Sequence, residues 1–155
     1  MKKQTTIGFQ TALVQLPLMV REDPGAPAIK SPSEVLRALP DVAQLAQEAF
    51  FVITLNSANK MINKHMITLG IVDSSLVHPR EVFRAAILDG AAAIILAHNH
   101  PSGETKPSTA DLNTTKQLCK AGELLGIRVL DHVIIGHGAT PYLSMQEHGL
   151  LHWTE

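Results

Sequence analysis

The sequence predicts an α/β fold with α+β character, in which helices cover both faces of a mixed β-sheet in three layers. One observation is the order of the patterns: a helix, a strand hairpin, a second helix, an apolar strand, a third helix and closing strands. Another is the run AAAIILA at residues 91–97, whose continuous apolarity is typical of a strand buried on both faces. Such a strand needs a layer of helices on each side.

The composition of the 155 residues fits one globular domain. Hydrophobic residues make up 45% and charged residues 17%, and the formal net charge is -1, so neither disorder nor a polyanion-binding surface is indicated. The single cysteine, Cys119, falls in a helical pattern and is predicted to be a core or semi-buried residue. The N-terminus lacks the apolar stretch of a signal peptide, and no run approaches the ~20 apolar residues of a membrane span. We expect a cytoplasmic protein with no membrane partner and no clear nucleic-acid-binding segment.

The chain is predicted to divide into an N-terminal arm and linker, residues 1–30, and a domain, residues 31–153. In the arm, TALVQLPLMV alternates enough for an edge strand, and REDPGAPAIK is a connector rich in proline and glycine. The domain opens with SPSEVLRALP, where Ser31 is the expected N-cap, Pro32 the first helical residue and Glu34 the partner in a capping box. We expect this helix to be interrupted at Pro40 and to continue through DVAQLAQEAF.

The remaining elements follow from periodicity and turn residues. FFVITLN (50–56) and INKHMITLGIV (62–72) predict strands joined by the turn SANK. HPREVFRAAILDG predicts an amphipathic helix that ends at Gly90, and a further helix is expected from about residue 109 to 121, closed near Gly122 or Gly126. IRVLDHVIIG predicts another strand, and PYLSM predicts a strand that returns beside it. The buried face of the amphipathic helix is predicted to carry Val82, Phe83, Ala86 and Ile87.

The stretch HNHPSGETKPSTAD, after the apolar strand, predicts a metal site. In extended backbone, residues two apart project to the same side, so His98 and His100 can converge on one ion. Asp111 follows a turn rich in proline and glycine and lies on the first turn of the next helix, where it can point back at both imidazoles. Two neutral histidines, one carboxylate and a water form a four-coordinate zinc site with an open position.

The same stretch is compatible with other interpretations. Ser108 and Asp111 also form a helix-capping step, and this role is compatible with metal binding because capping would fix the orientation of Asp111. The letters HNH do not indicate the nucleases of that name, whose His, Asn and His residues are widely separated. A zinc deaminase needs a Pro-Cys-x-x-Cys motif, which one cysteine excludes, and neither an HExxH helix nor a Walker loop is present.

The pattern H-x-H-P followed by S-x-x-D resembles the JAMM (JAB1/MPN/Mov34) metalloprotease family. The segments HPREVFRAAILDGAAAIILAHNHPSG, PSTAD and RVLDHVIIG are similar to the RadC-like bacterial branch of that family. The resemblance covers roughly residues 31–153 and implies the JAB/MPN fold, a mixed sheet between helices.

The resemblance also implies roles for individual residues. It implies that His98, His100 and Asp111 bind Zn²⁺, that Glu48 acts as general base on the attacking water, and that Ser108 donates a hydrogen bond to the developing oxyanion. The residues alone leave the choice of base open among four glutamates: Glu48, Glu81, Glu104 and Glu123. Asp131 and His132 also match the branch, and we interpret them as a polar step or structural hydrogen bond within a strand.

The leading hypothesis is a zinc-dependent hydrolase of JAMM type that attacks an amide or peptide bond in an unknown protein or peptide substrate. The alternative is a catalytically silent accessory or scaffolding protein of the same fold, associated with DNA repair or metabolism. Longer RadC-like proteins carry a helix-hairpin-helix segment that residues 1–30 do not resemble. The other histidines are expected on the surface or in loops: His65, His78, His137, His148 and His152.

Overall fold

The described chain forms three helices, one 3₁₀ turn and a five-stranded mixed sheet. The structure is a computed structural model and describes residues 25–70 and 77–151. In chain order the elements are α1 (Pro32–Ala38), the 3₁₀ turn (Val42–Gln44), β1 (Ala49–Leu55), β2 (Met61–Leu69), α2 (Pro79–Leu88), β3 (Ala93–Asn99), α3 (Thr109–Leu125), β4 (Arg128–Ile135) and β5 (Tyr142–Ser144). The predicted α/β class is confirmed.

The sheet has the strand order β2-β1-β3-β4-β5. β1 is antiparallel to both β2 and β3, β3 and β4 are parallel, and β5 returns antiparallel to β4. β3 is the central strand, and all seven of its residues are buried. The parallel pair is joined through α3, so the chain leaves the carboxyl end of β3 and soon enters the first turn of α3. This connection brings the end of β3 and the start of α3 together.

Two hydrophobic cores lie on opposite faces of the sheet, which confirms the three layers. α2 and α3 pack on one face, where Phe83 and Leu118 meet Ile94 and Leu96 of β3. α1 and the 3₁₀ turn pack on the other face, where Val35 and Val42 belong to the same cluster as Ala93, Ile95 and Ala97. Successive residues of β3 therefore alternate between the cores, as extended backbone requires. Continued past Ala97, this alternation directs His98 toward α3 and Asn99 toward the 3₁₀ turn.

The prediction that the first helix continues through DVAQLAQEAF is wrong. α1 ends at Ala38, only three residues form a 3₁₀ turn, and Ala49 and Phe50 already belong to β1. Pro40 lacks the N–H that a continuing helix needs. Phe50 is instead paired with His98 of β3 on one side and with Thr68 of β2 on the other, so the sheet outweighs the local helical pattern.

The predicted face of the amphipathic helix is correct in three of its four residues. Val82, Phe83 and Ala86 are buried in α2, but Ile87 is 58% exposed. α1 begins with the expected capping box, and α3 ends at Gly126, whose φ of 70° is the left-handed geometry that favours glycine. Of the two predicted closing glycines, Gly126 is therefore the cap.

Some predictions concern residues outside the described ranges. These are the edge strand TALVQLPLMV, the last two residues of the strand predicted for 62–72, and His152. The boundary between arm and domain at residue 30 stays a prediction; the described part places Ile29 in the core beneath α1, with its N–H donating to the carbonyl of Asn59. No helix in the described part is long and apolar enough to cross a membrane.

Candidate metal centre

Three side chains meet where β3 ends and α3 begins. The Nε2 atoms of His98 and His100 are 3.0 Å apart. The carboxylate of Asp111 faces both of them, with Oδ1 3.2 Å from His98 Nε2 and Oδ2 3.2 Å from His100 Nε2. Asp111 and His98 are almost fully buried, whereas the His100 side chain is 17% exposed. The structure thus brings together the three residues that the sequence predicted as metal ligands.

Backbone structure explains this convergence. His98 lies in β3, and the N–H of His100 donates to the carbonyl of Ile135 at 3.0 Å, which continues the strand pairing with β4 beyond the end of β3. The two histidines therefore keep extended geometry and project to one side. On α3, the Ser108 hydroxyl accepts the Asp111 N–H at 3.0 Å, and Asp111 Oδ2 accepts the Ser108 N–H at 2.7 Å. This capping box fixes the first turn of α3 with its carboxylate facing the imidazoles.

The turn after β3 fixes the ring of His100. His100 Nδ1 donates to the carbonyl of Glu104 at 2.9 Å, and because a carbonyl only accepts, the proton of the neutral ring lies on Nδ1. Gly103 closes this turn at φ +86°, and a Cβ there would lie 2.6 Å from the ring of His137. The turn therefore requires glycine, and the backbone of Glu104, rather than its carboxylate, takes part in the site.

The ring of His98 is fixed from the opposite side. Its Nδ1 is 2.7 Å from Nε2 of His132, and Nδ1 of His132 is 2.5 Å from the Thr115 hydroxyl. Phe50 stacks on the His98 ring, with centroids 5.9 Å apart and planes 13° from parallel. The interpretation of His132 as a structural hydrogen-bonding residue agrees with these contacts. Thr115 carried no distinguishing signal in the sequence.

The donor set fits a small cation. In a tetrahedral zinc site with Zn–N and Zn–O bonds of about 2.0–2.1 Å, ligand atoms lie roughly 3.3 Å apart, close to the 3.0–3.2 Å between these atoms. Neutral rings would direct two nitrogen lone pairs and a carboxylate at one another over these distances. Such an arrangement requires a positive charge between them, either a proton or a metal ion.

The contacts between Asp111 and the histidines lower the pKa of the carboxyl group and raise the pKa of His100, as expected of a carboxylate beside an imidazole. Burial acts to raise the pKa of Asp111, but the hydrogen bonds of His100 and His98 outweigh it and hold that pKa far below its usual value. The hydrogen bond with Asp111 raises the pKa of His100 above its ordinary 6.5. In the metal-free site a proton on His100 therefore compensates the charge of the Asp111 carboxylate.

Glu48 lies immediately before β1, at the sheet end that carries the three candidate ligands. It is half-buried, and burial raises its pKa, while the neighbouring His98 and His100 act in the opposite direction. A carboxyl group with a raised pKa holds a proton more readily than an ordinary carboxylate does, which suits a group that must accept and release a proton beside the cluster. No hydrogen bond links Glu48 to the cluster among the described residues.

Asn99, the middle residue of HNH, holds the segment that carries Glu48. Its Oδ1 accepts the N–H of Ala49 at 2.8 Å, and its Nδ2 donates to the carbonyls of Gln47 at 3.1 Å and Leu45 at 3.4 Å. Glu48 is thus bracketed by backbone groups tied to the strand that carries the histidines. Sequence reasoning missed this role, although the alternation of β3 already directs residue 99 away from its neighbours.

The remaining polar candidates lie outside the cluster. Asp131 accepts hydrogen bonds from the N–H groups of His132 and Gln146 and from the Ser144 hydroxyl, so it organises the end of β4. Burial raises the pKa of the Cys119 thiol to about 11, which agrees with a core residue. His78, His137 and His148 are exposed as expected. His65 lies on the predicted strand, β2, and is partly buried, with its Nε2 2.6 Å from Asp89.

Comparison with known proteins agrees with this architecture. A family model described as the RadC-like JAB domain matches residues 29–150. The chain belongs to the RadC-like JAB family. The match covers the sheet, all three helices and each residue of the cluster, so the resemblance seen in the sequence is confirmed.

Curated relatives of the family are longer than this chain. A UPF0758 protein of Rubrobacter xylanophilus is 49% identical over 135 residues, which are 86% of this chain and 58% of that protein. Relatives from Caldanaerobacter subterraneus and Methanosarcina mazei are 48% and 38% identical, over 79% of this chain and 52% and 53% of those proteins. The chain therefore spans about half the length of these relatives, whose names state no activity.

Proposed function

We propose that this chain is a zinc-dependent hydrolase of the JAMM metallopeptidase type, which cleaves an amide or peptide bond in a protein or peptide substrate. The observation that carries the proposal is the convergence of His98, His100 and Asp111 at 3.0–3.2 Å. The Nδ1 atoms of both histidines are engaged elsewhere. That arrangement is what a site with three protein ligands and one open position needs.

The residues of the cluster and Glu48 would have separate roles in metal binding and proton transfer. His98, His100 and Asp111 would hold the metal, which when bound lowers the pKa of water toward ~7 and polarises a carbonyl. Glu48 would take the proton from the attacking water and deliver it to the leaving amine, which its raised pKa supports.

Ser108 would stabilise the charge that develops on the carbonyl oxygen. Its hydroxyl oxygen already accepts the N–H of Asp111, so the hydroxyl proton is free to be donated to an oxyanion. Ser108 is exposed, and it caps the helix whose first turn carries Asp111. Its exposure and its position at the start of the helical turn that carries Asp111 support this role.

Metal analysis and hydrolysis measured on the same preparations test the proposal. Protein purified without chelator should hold about one zinc per chain, His98→Ala should hold little, and the exposed-histidine control His148→Ala should match the wild type. Glu48→Gln should keep its zinc and lose hydrolysis of a library of peptide and isopeptide substrates, whereas Glu81→Gln on α2 should keep both. Absence of zinc from the wild type would overturn the proposal. Zinc without hydrolysis of any library member would instead favour the accessory protein.

A further inference from the structure

We infer that His132, acting through Thr115, is a positioning residue that holds His98 with its Nδ1 protonated and its Nε2 free to bind the metal. The inference rests on the proposed metal site but concerns residues to which no ligand role has been given. It follows from the direction of three consecutive hydrogen bonds between β3, β4 and α3.

The direction is set at the Thr115 end. Thr115 Oγ1 lies 2.6 Å from the backbone carbonyl of Asp111. A carbonyl can only accept, and the hydroxyl has one proton, so that proton is donated to Asp111. If it pointed elsewhere, two oxygen lone pairs would face each other at 2.6 Å in a buried position.

His132 must then donate to Thr115. Its Nδ1 is 2.5 Å from the Thr115 oxygen, whose proton is already used, so Nδ1 carries a proton. The ring is fully buried, and its hydrogen-bond partners are a hydroxyl and an imidazole, neither of which is negatively charged. A buried ring in these surroundings is neutral, which leaves Nε2 as an acceptor.

His98 is the last ring in the series. Its Nδ1 lies 2.7 Å from the unprotonated Nε2 of His132, so His98 must donate through Nδ1. A histidine that binds a metal must be neutral, and a neutral ring that donates through Nδ1 has its lone pair on Nε2, the atom that faces Asp111 at 3.2 Å. Ligand histidines generally donate their other N–H to a carboxylate, carbonyl or water. Here the acceptor is the imidazole of His132, which in turn donates to the Thr115 hydroxyl, and that hydroxyl donates to the carbonyl of Asp111.

The series connects two of the proposed ligands. It begins at the ring of His98 and ends at the backbone of Asp111, whose carboxylate returns to His98. His132 and Thr115 therefore fix the spacing between β3 and α3 as well as the tautomer of the ring. Loss of the acceptor at residue 132 would leave the buried Nδ1–H of His98 without a partner and allow the ring to rotate or change tautomer.

The test combines nitrogen NMR and zinc affinity. In ¹⁵N-histidine-labelled protein freed of metal, we expect a protonated Nδ1 and an unprotonated Nε2 in His132, with a coupling across the hydrogen bond from His98 Nδ1. A proton on Nε2 of His132 would overturn the inference. This measurement needs neither zinc nor a substrate.

Zinc affinity, measured by competition with a chelator, should separate the variants. His132→Leu and Thr115→Val should bind zinc more weakly, the former by about 10–100-fold, while His132→Gln and Thr115→Ser, which keep an acceptor and a hydroxyl, should recover most of the loss. Leu118→Val, which trims a fully buried side chain on the same helix, should bind as the wild type. Equal affinity of His132→Leu and a zinc-binding wild type would contradict the inference alone; a wild type that binds no zinc would contradict the proposed function instead.

Discussion

Two helices of this chain begin with the same capping device, and only one of them forms part of a site. At α1, Glu34 Oε2 accepts the N–H groups of Lys30 and Ser31 at 2.5 and 2.9 Å. At α3, Asp111 Oδ2 accepts the N–H of Ser108 at 2.7 Å. Both carboxylates have a lowered pKa, in Glu34 chiefly through the hydrogen bond from the backbone of Lys30. The motif by itself therefore does not indicate a metal ligand.

The difference lies in what each carboxylate faces beyond the cap. Glu34 is partly exposed to solvent, so water can solvate its charge and no further partner is needed. Asp111 is buried against His98 and His100 at the end of β3, where an uncompensated charge would be costly. A capping carboxylate becomes a candidate ligand when the sheet places nitrogen donors in front of it.

Removing the charge at each helix should give the largest contrast. Asp111→Asn should lower zinc affinity by more than about 100-fold, because the loss of a ligand should exceed the ~10–100-fold effect of residues that only orient ligands. Glu34→Gln should leave zinc affinity unchanged. Calorimetric titration of both variants checks this, and equal affinities would show that Asp111 only caps the helix.

Glu48→Gln tests whether a carboxyl group near the cluster contributes to hydrolysis without binding the metal. We expect hydrolysis to fall by about 10²–10⁴-fold through loss of the proton acceptor, with unchanged zinc content. Turnover and metal analysis on one preparation check this. A parallel loss of zinc would mean that Glu48 is a metal ligand rather than the proton acceptor.

The two capping serines should differ less. Ser108→Ala should lower the free energy of unfolding by about 0.5–2 kcal/mol as a lost cap and should lower hydrolysis by about 10²-fold through the lost oxyanion contact. In α1 the Ser31 hydroxyl contacts that of Ser33 at 2.9 Å, so Ser31→Ala should cost less stability and leave hydrolysis unchanged. Chemical denaturation and turnover assays separate the two effects; unaltered turnover in Ser108→Ala would restrict Ser108 to capping.

The smallest expected effect is the pH dependence of stability at the site. Because the folded-state pKa of His100 is raised, the stability it contributes is present below the unfolded pKa of 6.5 and lost as pH rises through the folded pKa. Zinc replaces that proton, so the gain in Tm from added zinc should be larger at about pH 8 than at about pH 6. Glu34 cannot contribute to this difference, because it is charged throughout that range. Thermal melts with zinc or chelator check the trend, and a gain that shrinks with pH would contradict it.

Much of the fold could be predicted because its signals are local. The apolar run at 91–97, the capping residue Ser31 and the closing glycine each specify structure within a few residues. The helix expected across residues 41–50 failed because its end is decided by pairing with β3, which lies more than 40 residues further along the chain. The burial of Ile87 was wrongly predicted for a related reason, because the position of α3 decides which face of α2 is buried.

In the candidate site, too, the residues that could be predicted are those with a local pattern in the sequence. The spacing of His98, His100 and Asp111 is readable because two residues share a strand and the third follows one turn later. Glu48 required the family resemblance, since no local pattern distinguishes it from three other glutamates. The contacts of His132 and Thr115 join β4 to α3, and such pairing between elements leaves no periodic trace in a sequence.

The hydrogen bonds of Asn99 bear on how the site fluctuates. Three of them join the segment 45–49 to the strand between the two histidines, so we expect a displacement of β3 to move Glu48 together with the imidazoles. Thermal motion of the surrounding sheet would then change the separation between base and ligands very little. Asn99 would thereby keep the distance between Glu48 and the two histidines nearly constant.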